Sequence, residues 1–176
     1  FYGGAGAVTG ANFLFETGAQ KFLIDCGLVQ SSDFCDAVNW SDFPYNPADI
    51  DILFVSHGHT DHIGRIPRLV AQGFRGRIYS TPPTKDIARL MLEDAHGVMK
   101  DELARRGNPR QPLYTESDIE KTLAIWDIFN YHEKISLNGV ENKELKDFLN
   151  DSMKQVDKKL EKQMRGHLSD LGFGDL

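Results

Sequence analysis

Cysteine is scarce: 176 residues contain only Cys26 and Cys35. Two thiols are too few for a disulfide scaffold, and their separation is no Cys-x-x-Cys metal spacing, so both read as free thiols. No apolar run approaches the roughly 20 residues that a bilayer crossing needs, and no basic stretch leads into a signal-type apolar core, which points to the cytoplasm and away from membranes. Positive charge is short as well. Lys+Arg 20 against Asp+Glu 26 gives a net charge of −6, which excludes a basic nucleic-acid tail. It does not exclude RNA, because a local cationic centre built on bound metal attracts phosphate against the global sign. Repeats and low-complexity linkers are absent. The chain starts with Phe1 rather than Met, in what reads as the tail of a strand, and a trimmed 5′ end is expected.

What is present is an ordinary globular composition, 40% hydrophobic and 26% charged, at the length of one domain of common size. Residues 11–16 and 21–25 read as a hairpin about the turn at 17–20. The glycines Gly4 and Gly6 suggest a dinucleotide loop, but Thr9 stands where its third glycine belongs, and a strand follows instead of a helix. Residues 26–49 show no period and read as a long loop. IDILFVS (50–56) is a near-continuous β-prone run, the pattern of a strand covered on both faces. Ile63, Ile66, Leu69 and Val70 then have helical spacing up to Gly73, and a short strand is expected at 77–80.

Pro82-Pro83 opens the strongest helix, with Ile87, Leu90, Met91, Ala95 and Val98 as its apolar stripe and a stop at Gly107-Asn108-Pro109. Thr115 to Asp118 resembles a capping box at the head of a helix running to about Trp126. A strand is expected over 131–137. From Glu141 the chain turns Lys/Glu/Asp-rich, with Leu145, Leu149, Met153, Val156, Leu160 and Met164 marking an amphipathic helix that ends near Gly166.

The chemistry is concentrated in Ser56-His57-Gly58-His59-Thr60-Asp61-His62, which sets three imidazoles and a carboxylate between a buried strand and a helix. In an extended or turning backbone, side chains two apart share a side. His57 and His59 can thus grip one ion, while Asp61 and His62, past the bend, aim at a second. Imidazole with carboxylate suits zinc best, with manganese or iron as alternatives. The plain competing reading, surface polar residues or histidines capping a helix, suits a lone histidine better than four ligand types at this spacing.

His-x-His-x-Asp-His after an apolar strand resembles the second motif of the metallo-β-lactamase superfamily, and Asp25 at the end of FLIDCG resembles its first. GAVTGANFLFE and FRGRIYSTPPTKDIARLMLEDA look like the β-CASP branch, which includes ribonuclease J and the nuclease that cleaves pre-mRNA 3′ ends. The likeness runs from Phe1 to about Leu137. It implies an α/β fold, the N-terminal half of an αββα sandwich over residues 1–137, with residues 138–176 a charged amphipathic helical segment, either an insertion or a divergent tail.

The resemblance further implies a metal-dependent ribonuclease in which a hydroxide bridges two zinc ions about 3.5–4 Å apart and attacks a phosphodiester. His57 and His59 would hold the first ion, and Asp61 and His62 the second. Asp25 would orient a ligand imidazole or the water. Against this, Asp25 also reads as a turn-capping aspartate. RNA is the expected substrate, no membrane is involved, and a homodimer is an open alternative to the monomer. The other classes to weigh are a thioester or lactone hydrolase of the same superfamily and a non-catalytic RNA-processing subunit.

Two four-coordinate ions sharing one water need roughly six protein ligands, and the cluster supplies four. The A-G-H-x-x-G-S segment, bridging aspartate and late histidine of the branch do not occur in the sequence. Weak or absent turnover is therefore expected of these 176 residues alone. His96, His132 and His167 lie far from the cluster and read as surface residues. Asp94 falls within the apolar stripe of its helix, so it is expected to buttress the metal loop or to meet Arg65 or Arg68.

Overall fold

The computed structural model describes residues 2–4, 8–17, 20–30 and 33–131. Five strands form one sheet in the order β1 (Phe13–Glu16), β2 (Lys21–Ile24), β3 (Ile52–Phe54), β4 (Arg77–Ser80), β5 (Trp126–Ile128). β1 and β2 are the expected antiparallel hairpin, and β2 through β5 run parallel. The connecting helices are α1 (Asp33–Trp40), α2 (Thr60–Ile63), α3 (Ile66–Ala71), α4 (Pro82–Arg105) and α5 (Glu116–Ala124). Parallel neighbours require such crossovers, because a tight turn reverses direction.

Register shows how the sequence makes the core. Leu23, Leu53, Ile78 and Trp126 are partners across four strands, and each is at most 2% exposed. Alternation along a strand sends this row to a single face. There it joins Ile63, Ile66, Leu69, Ile119 and Leu123 from the helices in one apolar cluster. The opposite face carries the ring ladder Phe22, Phe54 and Tyr79, with centroids 6.4 and 6.0 Å apart. The α/β class is as expected, and the described residues supply one sheet clothed by helices. Expectations for residues 132–176, including the strand over 132–137, His132, His167 and the charged helix, lie outside the described residues.

Four local expectations need correction. The stretch 26–49 is not all loop: it contains α1 and a 3-10 turn at Pro47–Asp49. The helix expected from Ile63 begins at Thr60, inside the histidine motif, and breaks at Gly64-Arg65 before α3. The helix from Glu116 stops at Ala124, and residues 126–128 pair with β4 as a strand.

The largest correction concerns α4, whose buried residues are Thr84, Ala88, Leu92 and Leu103. Ile87, Leu90 and Val98 of the expected stripe are 47%, 68% and 54% exposed. The buried row is shifted by one residue, about 100° around the helix, and its first members are small enough to let α4 approach its neighbours closely.

Candidate metal centre

β2 and β3 are adjacent and parallel, so the residues that follow them come out on the same rim of the sheet. Pairing continues past their ends: the Asp25 amide donates to the Phe54 carbonyl, and the Val55 amide to the Tyr79 carbonyl, both at 2.9 Å. Asp25 then turns the chain sharply with φ 59. This is a left-handed conformation that an Asp accepts more readily than most residues.

Beyond that turn the backbone of 26–28 is laced to the histidine motif. Cys26 N donates to His62 O (2.8 Å), Leu28 N to Thr60 O (2.9 Å), and Arg65 N to Cys26 O (2.9 Å). Gly27 sits so close that a Cβ there would lie 1.6 Å from the Asp61 carbonyl oxygen. Gly58 meets α4, since a Cβ on it would stand 2.7 Å from Ile87 Cγ2. α4 thus touches the histidine loop, but through Ile87 and Ala88.

Asp94 is exposed, and the supposed buttress does not form. Arg65 and Arg68 donate to the carbonyls of Ser41 and Trp40 instead, at 2.9 and 2.7 Å. His96 is half-buried with its ring 6.1 Å from Tyr114.

The site itself is one connected cluster. Asp25, 2% exposed, accepts the Ser56 amide on Oδ1 (2.8 Å). Its Oδ2 takes the Ser56 hydroxyl and His62 Nδ1, each at 2.7 Å. His57 Nδ1 lies 3.0 Å from Ser56 Oγ. On the outer side His57 Nε2 is 3.1 Å from His59 Nδ1, and His62 Nε2 is 3.5 Å from Asp61 Oδ2. The rings of His57 and His62 have centroids 3.9 Å apart.

These spacings suit a metal pairwise. Donors about 2.0–2.1 Å from one zinc in tetrahedral geometry stand about 3.3–3.4 Å apart. His57/His59 and Asp61/His62, the pairs assigned from the sequence, are each near that separation. Among the described residues, no group of three or more His, Cys, Asp or Glu side chains is arranged to hold one ion. Electrostatics favours ligation too: burial, reinforced by the neighbouring His62, pushes the His57 imidazole down to about 4. A neutral ring at physiological pH keeps the lone pair that a metal requires.

Ser56 is the residue that sequence reasoning missed. Its only signal is position, a small hydroxyl directly before the first histidine, and its contacts reach Asp25 across 31 residues. Cys26 beneath the loop is fully buried, and burial pushes its thiol up to about 12, so it rests as a neutral thiol.

The comparisons with known proteins concern these same residues. Over 139 residues the chain is 32% identical to ribonuclease TTHA0252 of Thermus thermophilus, covering 79% of this chain and 30% of that protein. Over a further 139-residue alignment it is 34% identical to cleavage and polyadenylation specificity factor 73 of Drosophila melanogaster, covering 78% and 19%. Transcription termination factor FttA of Methanosarcina mazei is 37% identical over 97 residues, 52% of this chain and 15% of that protein. The chain therefore spans less than a third of the length of each of these relatives. The family model for the metallo-beta-lactamase superfamily matches residues 5–120, a stretch that includes Asp25 and the whole histidine motif, and the chain belongs to that superfamily.

Proposed function

We propose that this chain carries the metal-binding part of a β-CASP-type ribonuclease that hydrolyses RNA phosphodiester bonds with two zinc ions. The observation that carries the reading is the rim cluster, two donor pairs at ligand spacing with Asp25 braced beneath them. Metal dependence comes with the superfamily. RNA as substrate is supported by the likeness to the Thermus ribonuclease and the Drosophila factor over the same residues.

On this reading His57 and His59 hold one ion, and Asp61 and His62 the other. Zinc, when bound, makes water a nucleophile at neutral pH and offsets charge on the phosphate. The chain's own contribution is orientation. Asp25 holds the Nδ1 side of His62, so its Nε2 faces outward beside Asp61. The cytoplasm is the compartment assigned, and a homodimer is the assembly against which the solution mass should be checked.

One observation favours a second reading, a non-catalytic RNA-processing subunit: four donors in two pairs fall short of a closed dinuclear site. Metal content separates the two. Elemental analysis after zinc loading is expected to find stoichiometric zinc that His59→Ala removes; zinc-free protein would favour the scaffold. Substrate class is tested by profiling an intact homologue. Cleavage of labelled RNA with lactones and thioesters untouched is the expected result, and the reverse preference would replace the ribonuclease by another superfamily hydrolase.

A further inference from the structure

A serine hydroxyl has one proton to give and two lone pairs to receive. Ser56 Oγ lies 2.7 Å from Asp25 Oδ2, 3.0 Å from His57 Nδ1 and 3.3 Å from His62 Nδ1. A carboxylate only accepts, so the shortest contact takes the hydroxyl proton to Asp25. The oxygen then meets His57 with a lone pair, and His57 Nδ1 must carry the hydrogen. Its lone pair is thereby placed on Nε2, 3.1 Å from His59 Nδ1, on the outer side of the cluster. The second Asp25 contact sets His62 in the same sense, with Nδ1–H directed inward at 2.7 Å. Loop anchoring does not need this hydroxyl, because the Ser56 amide already binds Asp25 Oδ1 at 2.8 Å.

We propose that Ser56 is a positioning residue: its hydroxyl, committed to Asp25, fixes His57 as the Nδ1–H tautomer, so that Nε2 presents its lone pair before any metal arrives. The inference deepens the metal-binding reading above and rests on it. Partners of this kind behind a ligand imidazole change metal affinity by about 10- to 100-fold when removed.

The test uses the 176-residue chain, metal-free and then titrated with zinc. Long-range 15N–1H correlation spectra of the imidazole rings, assigned with His57→Gln, report which nitrogen carries the proton. Wild type is expected to show His57 protonated on Nδ1. Ser56→Ala should release the ring to a mixture or to the Nε2–H form and weaken zinc binding by about 10- to 100-fold. Ser56→Thr, which keeps the hydroxyl, should restore both. A His57 that is Nε2–H in wild type overturns the proposal, as does a Ser56→Ala protein with unchanged tautomer and zinc affinity, or a threonine variant no better than alanine. The Nδ1–H tautomer in a wild-type chain that binds no zinc would support the Ser56 role while overturning the metal reading.

Discussion

Asp25 and His62 are joined by a 2.7 Å hydrogen bond across 37 residues, linking the turn after the second strand to the last histidine of the 57–62 motif. The aspartate also fastens the backbone of Ser56. It therefore acts on the loop and on the His62 side chain together.

Replacing Asp25 should separate those two duties. Asp25→Ala leaves the Ser56 amide and hydroxyl without their acceptor, at a cost of about 1–3 kcal/mol. Asp25→Asn retains an acceptor oxygen and tolerance of the left-handed backbone, so less stability should be lost. Both should weaken zinc binding by about tenfold or more. Urea midpoints at unchanged m-value, together with zinc competition titrations, check the order Ala worse than Asn in stability.

Two glycine substitutions should have opposite signs. Gly27→Ala drives a methyl into the Asp61 carbonyl, 1.6 Å away, and backbone cannot step aside as a flexible side chain would. Destabilisation of about 3 kcal/mol, the upper end for overpacking, and loss of zinc binding are expected. Gly97 lies within α4 with nothing inside 4 Å of its would-be Cβ. Gly97→Ala should therefore stabilise by about 0.5–1 kcal/mol through helix propensity and a less flexible unfolded chain. Thermal melting of the two variants measures both.

Cys26 should behave as a core residue and not as a reactive thiol. With its acidity suppressed by burial to about 12, almost no thiolate exists at pH 8. Iodoacetamide at that pH should leave Cys26 unmodified in folded protein and alkylate it in guanidinium, as read by fragment-ion mass spectrometry. Rapid native labelling would show that the 26–28 segment opens.

The α5 capping box predicts an acid-side weakness. Partial burial pushes the Asp118 carboxyl up, but hydrogen bonds from the Thr115 amide and hydroxyl and from Lys121 outweigh it and hold the group below its ordinary value. A carboxyl depressed in the folded state adds stability that is complete above its unfolded value, near 3.8, and fades as pH falls through the folded one. Stability against pH should accordingly fall less steeply below about pH 4 in Asp118→Asn than in wild type. Thr115→Ala should cost about 0.5–2 kcal/mol at neutral pH.

The α4 face gives the sharpest contrast between pattern and packing. Leu92→Ala should cost about 2–5 kcal/mol, as for other buried leucines, since Leu92 is fully buried. Leu90→Ala, at a position 68% exposed, should stay within about 0.5 kcal/mol. Calorimetry of the two variants decides whether the structural face or the more apolar one is the core face.

That contrast also explains what was legible. The hairpin, the buried strand, β4 and the capping box depend on residues close in sequence, so local patterns suffice to find them. The apolar pattern locates α4 along the chain but points to the wrong side of it. Thr84 and Ala88 are less apolar than Ile87 and Leu90, and only the neighbouring elements reveal which side they pack on. In α1 the inward residue Asn39 is polar, and its amide bonds both the N–H and the carbonyl of Val29 at 2.9 Å, a pairing that hydrophobic periodicity does not register. β5 is three residues long and exists through its pairing with β4. Ser56 escaped notice because its meaning depends on an aspartate brought near by folding.

The main-chain lacing of residues 26–28 to 60–65 separates the shape of the rim from the identity of the side chains it displays. Exchanging an imidazole for another side chain should change the donors on the rim without dismantling the loop that presents them.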